Sequence, residues 1–123
     1  MTRGAQRFNF HTEAEEGDMN DWAHQQQKKI AETASHMLSG AVSYIKGARR
    51  IAGLRFDAGI ETDPDILPFV GVDSETDGLP IETDVRKLWS PEALEKLQPK
   101  IDSAESWARN ILEPHCRSLL ARL

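Results

Sequence analysis

The chain has 123 residues, 39% of them apolar, with 20 acidic and 15 basic side chains and a formal charge of −5. A chain of this length forms one domain that buries roughly two-thirds of the surface its unfolded form exposes, so a core without covalent staples suffices. The 28% charged fraction, with no apolar run near about 18 residues, argues against a membrane-spanning helix.

Residues 1–19 are polar and aperiodic and read as a flexible N-terminal tail, leaving a single helical domain over 20–123. With Arg3, Arg7, Glu13, Glu15 and Glu16, this stretch lacks the apolar core of a secretory leader. The only cysteine, Cys116, has no intramolecular partner. Both features fit a cytoplasmic protein.

From Asn20 or Asp21, either of which can cap, the pattern is helical. Ala23, Ile30, Ala34, Met37 and Leu38 fall on one stripe, and Gln25, Gln26, Lys28, Lys29 and Glu32 are assigned to the solvated face. Gly40 follows the last periodic residue and supplies a left-handed helix end. A second helix is expected over 41–55. Ala41, Ile45, Ala48 and Ala52 share its apolar arc, with Tyr44 and Ile51 at the edge, while Lys46, Arg49 and Arg50 gather elsewhere. The two helices then form an antiparallel hairpin, and Gly47, Ala48, Ala52 and Gly53 allow close approach of its neighbour. Arg55 points toward the apolar arc and is expected to need a carboxylate.

Residues 57–89 contain Pro64, Pro68, Gly71, Gly78 and Pro80 and read as an irregular middle, with a short helix from an Asp63 cap through Phe69. Its apolar run, Ile66, Leu67, Phe69, Val70 and Val72, is expected to bury against the hairpin. Ser90 as cap and Pro91 at the first helical position then open a C-terminal helix. Leu94, Leu97, Ile101, Ala104, Ala108, Ile111 and Leu112 keep its three-four spacing. Pro99 is expected to kink or divide it, and Pro114 to separate a last segment holding Cys116, Leu119 and Leu120. The fold class is therefore all-α: a small bundle built on a helical hairpin, with an irregular acidic middle and a kinked C-terminal helix.

The runs GAVSYIKGARRIAGLR (residues 40–55), FVGVDSETDGLP (residues 69–80) and Trp89 to Ala93 resemble segments of small stand-alone bacterial proteins of an uncharacterised family. The resemblance covers most of the chain after residue 37. It implies a shared fold and transfers no activity, cofactor or catalytic residue.

Charge is strongly segregated. Residues 41–55 carry four bases and no acid, whereas residues 56–85 carry nine acids and no Lys or Arg. Counter-charges for the acidic block must come from the basic helix, a metal, a partner or salt. An acidic chain with so short a basic segment is a poor nucleic-acid binder, although the Gly40 turn with Lys46, Arg49 and Arg50 has the outline of a helix-turn-helix.

Three chemistries compete for the acids. First, Asp73, Glu75, Asp77, Gly78 and Asp84 hold positions 1, 3, 5, 6 and 12 of an EF-hand-type calcium loop. Pro80, the Glu at position 3, the short Asp84 and the missing sister loop all depart from that motif. Second, Arg49, Arg50 and Arg55 are expected to form structural ion pairs with Asp73, Glu75 and Asp77. Third, Asp63, Asp65, Asp73, Glu75 and Asp77, with Trp89, are available to bind a partner. His24 and His36 lie too far apart on one helix to share a metal, and His115 with Cys116 falls short of a zinc set. Cys116 is expected to pack as a small core residue rather than act as a nucleophile.

Without a catalytic set or cofactor motif, the expectation is a non-enzymatic binding module with no cofactor, whose acidic segment 63–84 engages a basic protein partner as a bacterial immunity protein or antitoxin engages a toxin. The alternative is a calcium- or metal-binding domain using Asp73–Asp84. No nucleic-acid or membrane partner is expected, and the hairpin leaves a homodimer open.

Overall fold

The computed structural model describes the backbone of residues 9–123 and the side chains from Asp21 onward. It is all-α: α1 (Asn9–Ser39), α2 (Tyr44–Leu54), α3 (Leu67–Thr76), α4 (Thr83–Arg86) and α5 (Pro91–Arg122). Helix α2 lies at the centre and packs against α1, α3 and α5; α1 and α3 also contact α5. None of the described helices is long and apolar enough to cross a membrane.

Residues 1–8 of the expected tail lie outside the described residues, and helical backbone begins at Asn9 rather than at an Asn20 or Asp21 cap. On α1, Ile30, Ala34 and Met37 are buried as their stripe predicts. Gln26 is a correction. It lies one turn before Ile30, on the apolar stripe and not on the wet face, and is only 2% exposed. Its amide nitrogen finds no hydrogen-bond partner among the described residues. Gly40 ends α1 at φ +86°, a backbone region that L side chains enter only with strain.

The hairpin is antiparallel: Met37 lies over Gly47, and the Gln27 amide donates to the Ala58 carbonyl at 3.0 Å. A Cβ on Gly47 would stand 2.2 Å from the Met37 sulfur. The glycine therefore sets the α1–α2 spacing. Helix α2 starts at Tyr44, three residues later than the periodicity suggests, because Ser43 accepts from the Lys46 N–H at 3.1 Å. A second cap comes from α5: the Glu105 carboxylate accepts from the Tyr44 and Ile45 N–H groups at 2.7 and 3.1 Å. Three of the orphan donors of this helix end are thus satisfied.

The middle segment is more helical than its prolines and glycines suggest. Pro68 sits in the first turn of α3, where its missing N–H costs nothing, and Ile66, Phe69 and Val72 are buried as expected, whereas Leu67 of the same run is 50% exposed. The Ser90 cap and Pro91 open α5 as the sequence indicates. Neither Pro99 nor Pro114 ends it, and Pro114 does not separate a last segment. Beyond Pro114, Cys116 and Leu119 remain buried, so tertiary packing holds the helix across its missing main-chain donors.

Candidate functional site

The acidic block divides into two groups with different fates. Asp63 and Asp65 are clasped by the last turns of α5. Arg122 forms two hydrogen bonds with Asp63 and donates to Asp65 Oδ2 at 2.6 Å. Ser118 Oγ also donates to Asp65 Oδ2, at 2.6 Å, and His115 Nδ1 lies 2.9 Å from Oδ1. The Asp65 backbone N–H in turn donates to Asp63 Oδ1 at 2.9 Å, a local turn that presents both carboxylates on one side. The Ser118 hydrogen bond, followed by His115 and Arg122, holds the Asp65 carboxyl down at about 2, and Arg122 likewise lowers Asp63. The same pairing pushes Arg122 above its ordinary value. Asp63 and Asp65, expected to face a partner, are instead an internal staple between the start of α3 and the end of α5.

Asp65, His115 and Ser118 are the residue types of a hydrolytic triad without its geometry. The serine hydroxyl donates to the carboxylate rather than to the imidazole, so the serine–histidine contact of a triad is not formed.

The basic helix fares differently from expectation too. Arg49 alone meets the acidic block, with Asp73 and Glu82 each at 3.9 Å. Its stronger contacts are with backbone: the guanidinium donates to the Thr76 carbonyl and, at 3.3 Å, to that of Leu79. Arg49 is therefore a cap for the C-terminal end of α3, where carbonyls are left over and the helix dipole favours a cation. Arg50 is exposed and has no ion pair with a described residue. Arg55 needs no carboxylate. It donates to the Ala52 carbonyl of its own helix and lies 4.3 Å from the Phe56 ring centroid, a cation–π contact at a half-buried position.

The calcium-loop arrangement is not formed. Asp73 and Glu75 lie within α3, which runs to Thr76, so the segment from Asp73 to Asp84 does not wrap a common centre. Among the described residues no three His, Cys, Asp or Glu side chains gather as a metal set. Cys116 is buried, 3.9 Å from the Met37 sulfur, and burial pushes its thiol up to about 12. It packs as a small apolar group. His24 and His36 are exposed on α1.

Of the remaining acids, Glu75 and Asp77 border an open cleft between the end of α3 and the middle of α5. Its volume is about 570 Å³, and Glu75, Asp77, Leu79, Trp89, Leu97, Lys100 and Trp107 are among its walls. A smaller recess of about 320 Å³ shares Glu75 and Trp107 and continues over Pro68, Gly71, Val72 and Ile111. Trp89 and Trp107 remain 39% and 42% exposed. Glu75 and Asp77 are also exposed.

Three of the expected partner-facing residues, Glu75, Asp77 and Trp89, thus share one cleft. Sequence reading missed Trp107 and Lys100 as members. The signal was present in the helical phase of α5: Trp107 lies three and four residues from Ala104 and Ile111, at the edge of the apolar stripe and not in its centre. No family model, curated protein or solved structure matches the chain.

Proposed function

We propose that this protein is a non-enzymatic binding module that engages a basic protein partner through the acidic surface of residues 73–84 and the adjoining indole-lined cleft. An immunity protein or antitoxin covering a cationic toxin surface is the kind of role that fits. The observation that carries the reading is the convergence of Glu75 and Asp77 with Trp89 and Trp107 at one open cleft. Exposed indoles beside carboxylates unite the two ingredients of a strong interface: aromatic anchors, and charges that steer encounter. Asp84 extends the negative surface, with Asp73 and Glu82 beside Arg49, whereas Asp63 and Asp65 are engaged by Arg122, Ser118 and His115 and take no part.

The test begins with the partner that co-purifies from the native organism. Association rates measured at about 50 mM and about 500 mM salt should fall by at least about tenfold across that range, as for steered encounter. Glu75→Gln with Asp77→Asn should reduce the low-salt rate severalfold and flatten its salt dependence. A partner whose association ignores both salt and this pair of changes would remove the proposal.

A further inference from the structure

We propose that the α3–α5 cleft is a seat for an arginine side chain of the basic partner, with the guanidinium stacked on Trp107, the indole that lines both the cleft and its adjoining recess, and paired to Glu75 and Asp77. The inference rests on the binding-module reading and supplies what that reading lacks, the chemistry of the anchoring residue.

Walls and rim suit this group better than other cations or neutral rings. Two indoles line the cleft, and the face of an indole carries negative electrostatic potential that attracts a cation and rewards a flat one. A guanidinium is flat, weakly hydrated and forked, so it stacks on an aromatic face while its edge donates two parallel hydrogen bonds to a carboxylate. A lysine ammonium is a strongly hydrated point charge and gains only the electrostatic part. Glu75 and Asp77 stand on the α3 side of the cleft, within two residues of each other at the helix end, and both reach solvent. The same carboxylates disfavour a phosphate-bearing nucleotide, which the indoles alone would accept. Lys100 lines the cleft from α5 and works against a bound cation. Its removal or reversal is therefore expected to tighten binding, a gain that damage to the fold cannot mimic.

The full chain is titrated with three blocked hexapeptides in which alanine alternates with arginine, lysine or citrulline, the last having arginine's shape without its charge. Tryptophan fluorescence and calorimetry report binding. The arginine peptide is expected to bind at least about tenfold more tightly than the citrulline peptide and severalfold more tightly than the lysine peptide. Glu75→Gln with Asp77→Asn, and separately Trp107→Ala, should each weaken the arginine peptide about tenfold, while Lys100→Glu strengthens it severalfold. Thermal unfolding of each variant verifies that the fold is kept. Citrulline binding as tight as arginine, or indifference to Trp107→Ala and Lys100→Glu, overturns the seat. Equal binding of the lysine and arginine peptides, both lost with the Glu75 and Asp77 changes, overturns the arginine seat but leaves the acidic-surface reading standing. No binding of either cationic peptide removes both.

Discussion

Arg122, in the last turn of α5, donates a hydrogen bond of 2.6 Å to Asp65, across 57 positions of sequence. That contact decides which part of the acidic block is closed and which is open. With Asp63, Ser118 and His115 it ties the entry of α3 to the end of α5, so α3 is held at both ends: by this staple at its start and by Arg49 at its finish. Between those two fixtures, the exposed side of α3 and the facing part of α5 form the cleft.

The staple gives stability a definite pH dependence. Asp65 is held at about 2, below the ordinary carboxylate value. A depressed folded-state pKa contributes stability that is fully present above about pH 4 and lost as pH falls toward 2. Asp65→Asn is expected to cost about 1 kcal/mol at neutral pH, allowing for solvent screening of a partly exposed pair. The variant and the parent should converge near pH 2. Denaturant unfolding between pH 7 and 2 measures this, and parallel curves for the two proteins would refute the account.

Glu105 is expected to behave as a cap delivered from another helix. Glu105→Ala leaves the Tyr44 and Ile45 N–H groups without their acceptor and should destabilise by about 1 to 2 kcal/mol. Hydrogen exchange at those two amides should accelerate more than at Lys46, whose N–H keeps Ser43. Glu105→Gln, which retains an acceptor oxygen, should lose less.

Two glycines of α2 predict opposite signs. Gly47→Val drives a side chain into Met37, which is buried, and should cost about 1 to 3 kcal/mol by overpacking. Gly53 is exposed and an added Cβ meets nothing within 4 Å. Gly53→Ala should therefore stabilise by about 0.5 to 1 kcal/mol through helix propensity alone. Thermal or denaturant unfolding of the pair distinguishes spacing from propensity.

Cys116 should resist thiol reagents in the native state. Its thiol is buried and pushed up to about 12, chiefly by burial, so almost no thiolate exists near neutral pH. Labelling by a disulfide reagent should follow the unfolding transition rather than precede it. Rapid stoichiometric labelling of folded protein would contradict the packing described for α5.

The sequence by itself determined the class and most of the core, because helical phase and capping are local properties. Ile30, Ala34 and Met37, then Ile45, Ala48 and Ile51, then Ile101, Ala108 and Leu112 are buried where their spacing places them, and Gly40 and Ser90 end and begin helices as their chemistry dictates. Even Gln26 was readable, since its position belongs to the stripe whatever its polarity. Pro114 was misleading because the cost of one lost main-chain hydrogen bond is a local term that burial of Cys116 and Leu119 outweighs.

Only the tertiary structure decided which charges answer one another. Sequence proximity sets Arg49, Arg50 and Arg55 against the following acids, yet Arg49 turns to backbone carbonyls, Arg55 to its own helix and Phe56, and the clasping guanidinium arrives from Arg122. An ion pair depends on where two helices end in space to within a few ångströms. That distance is fixed by how α3 and α5 pack on α2, and no pattern along the chain encodes it. The same packing brought Trp107 beside Glu75 and Asp77, turning a run of negative charge into a cleft with walls.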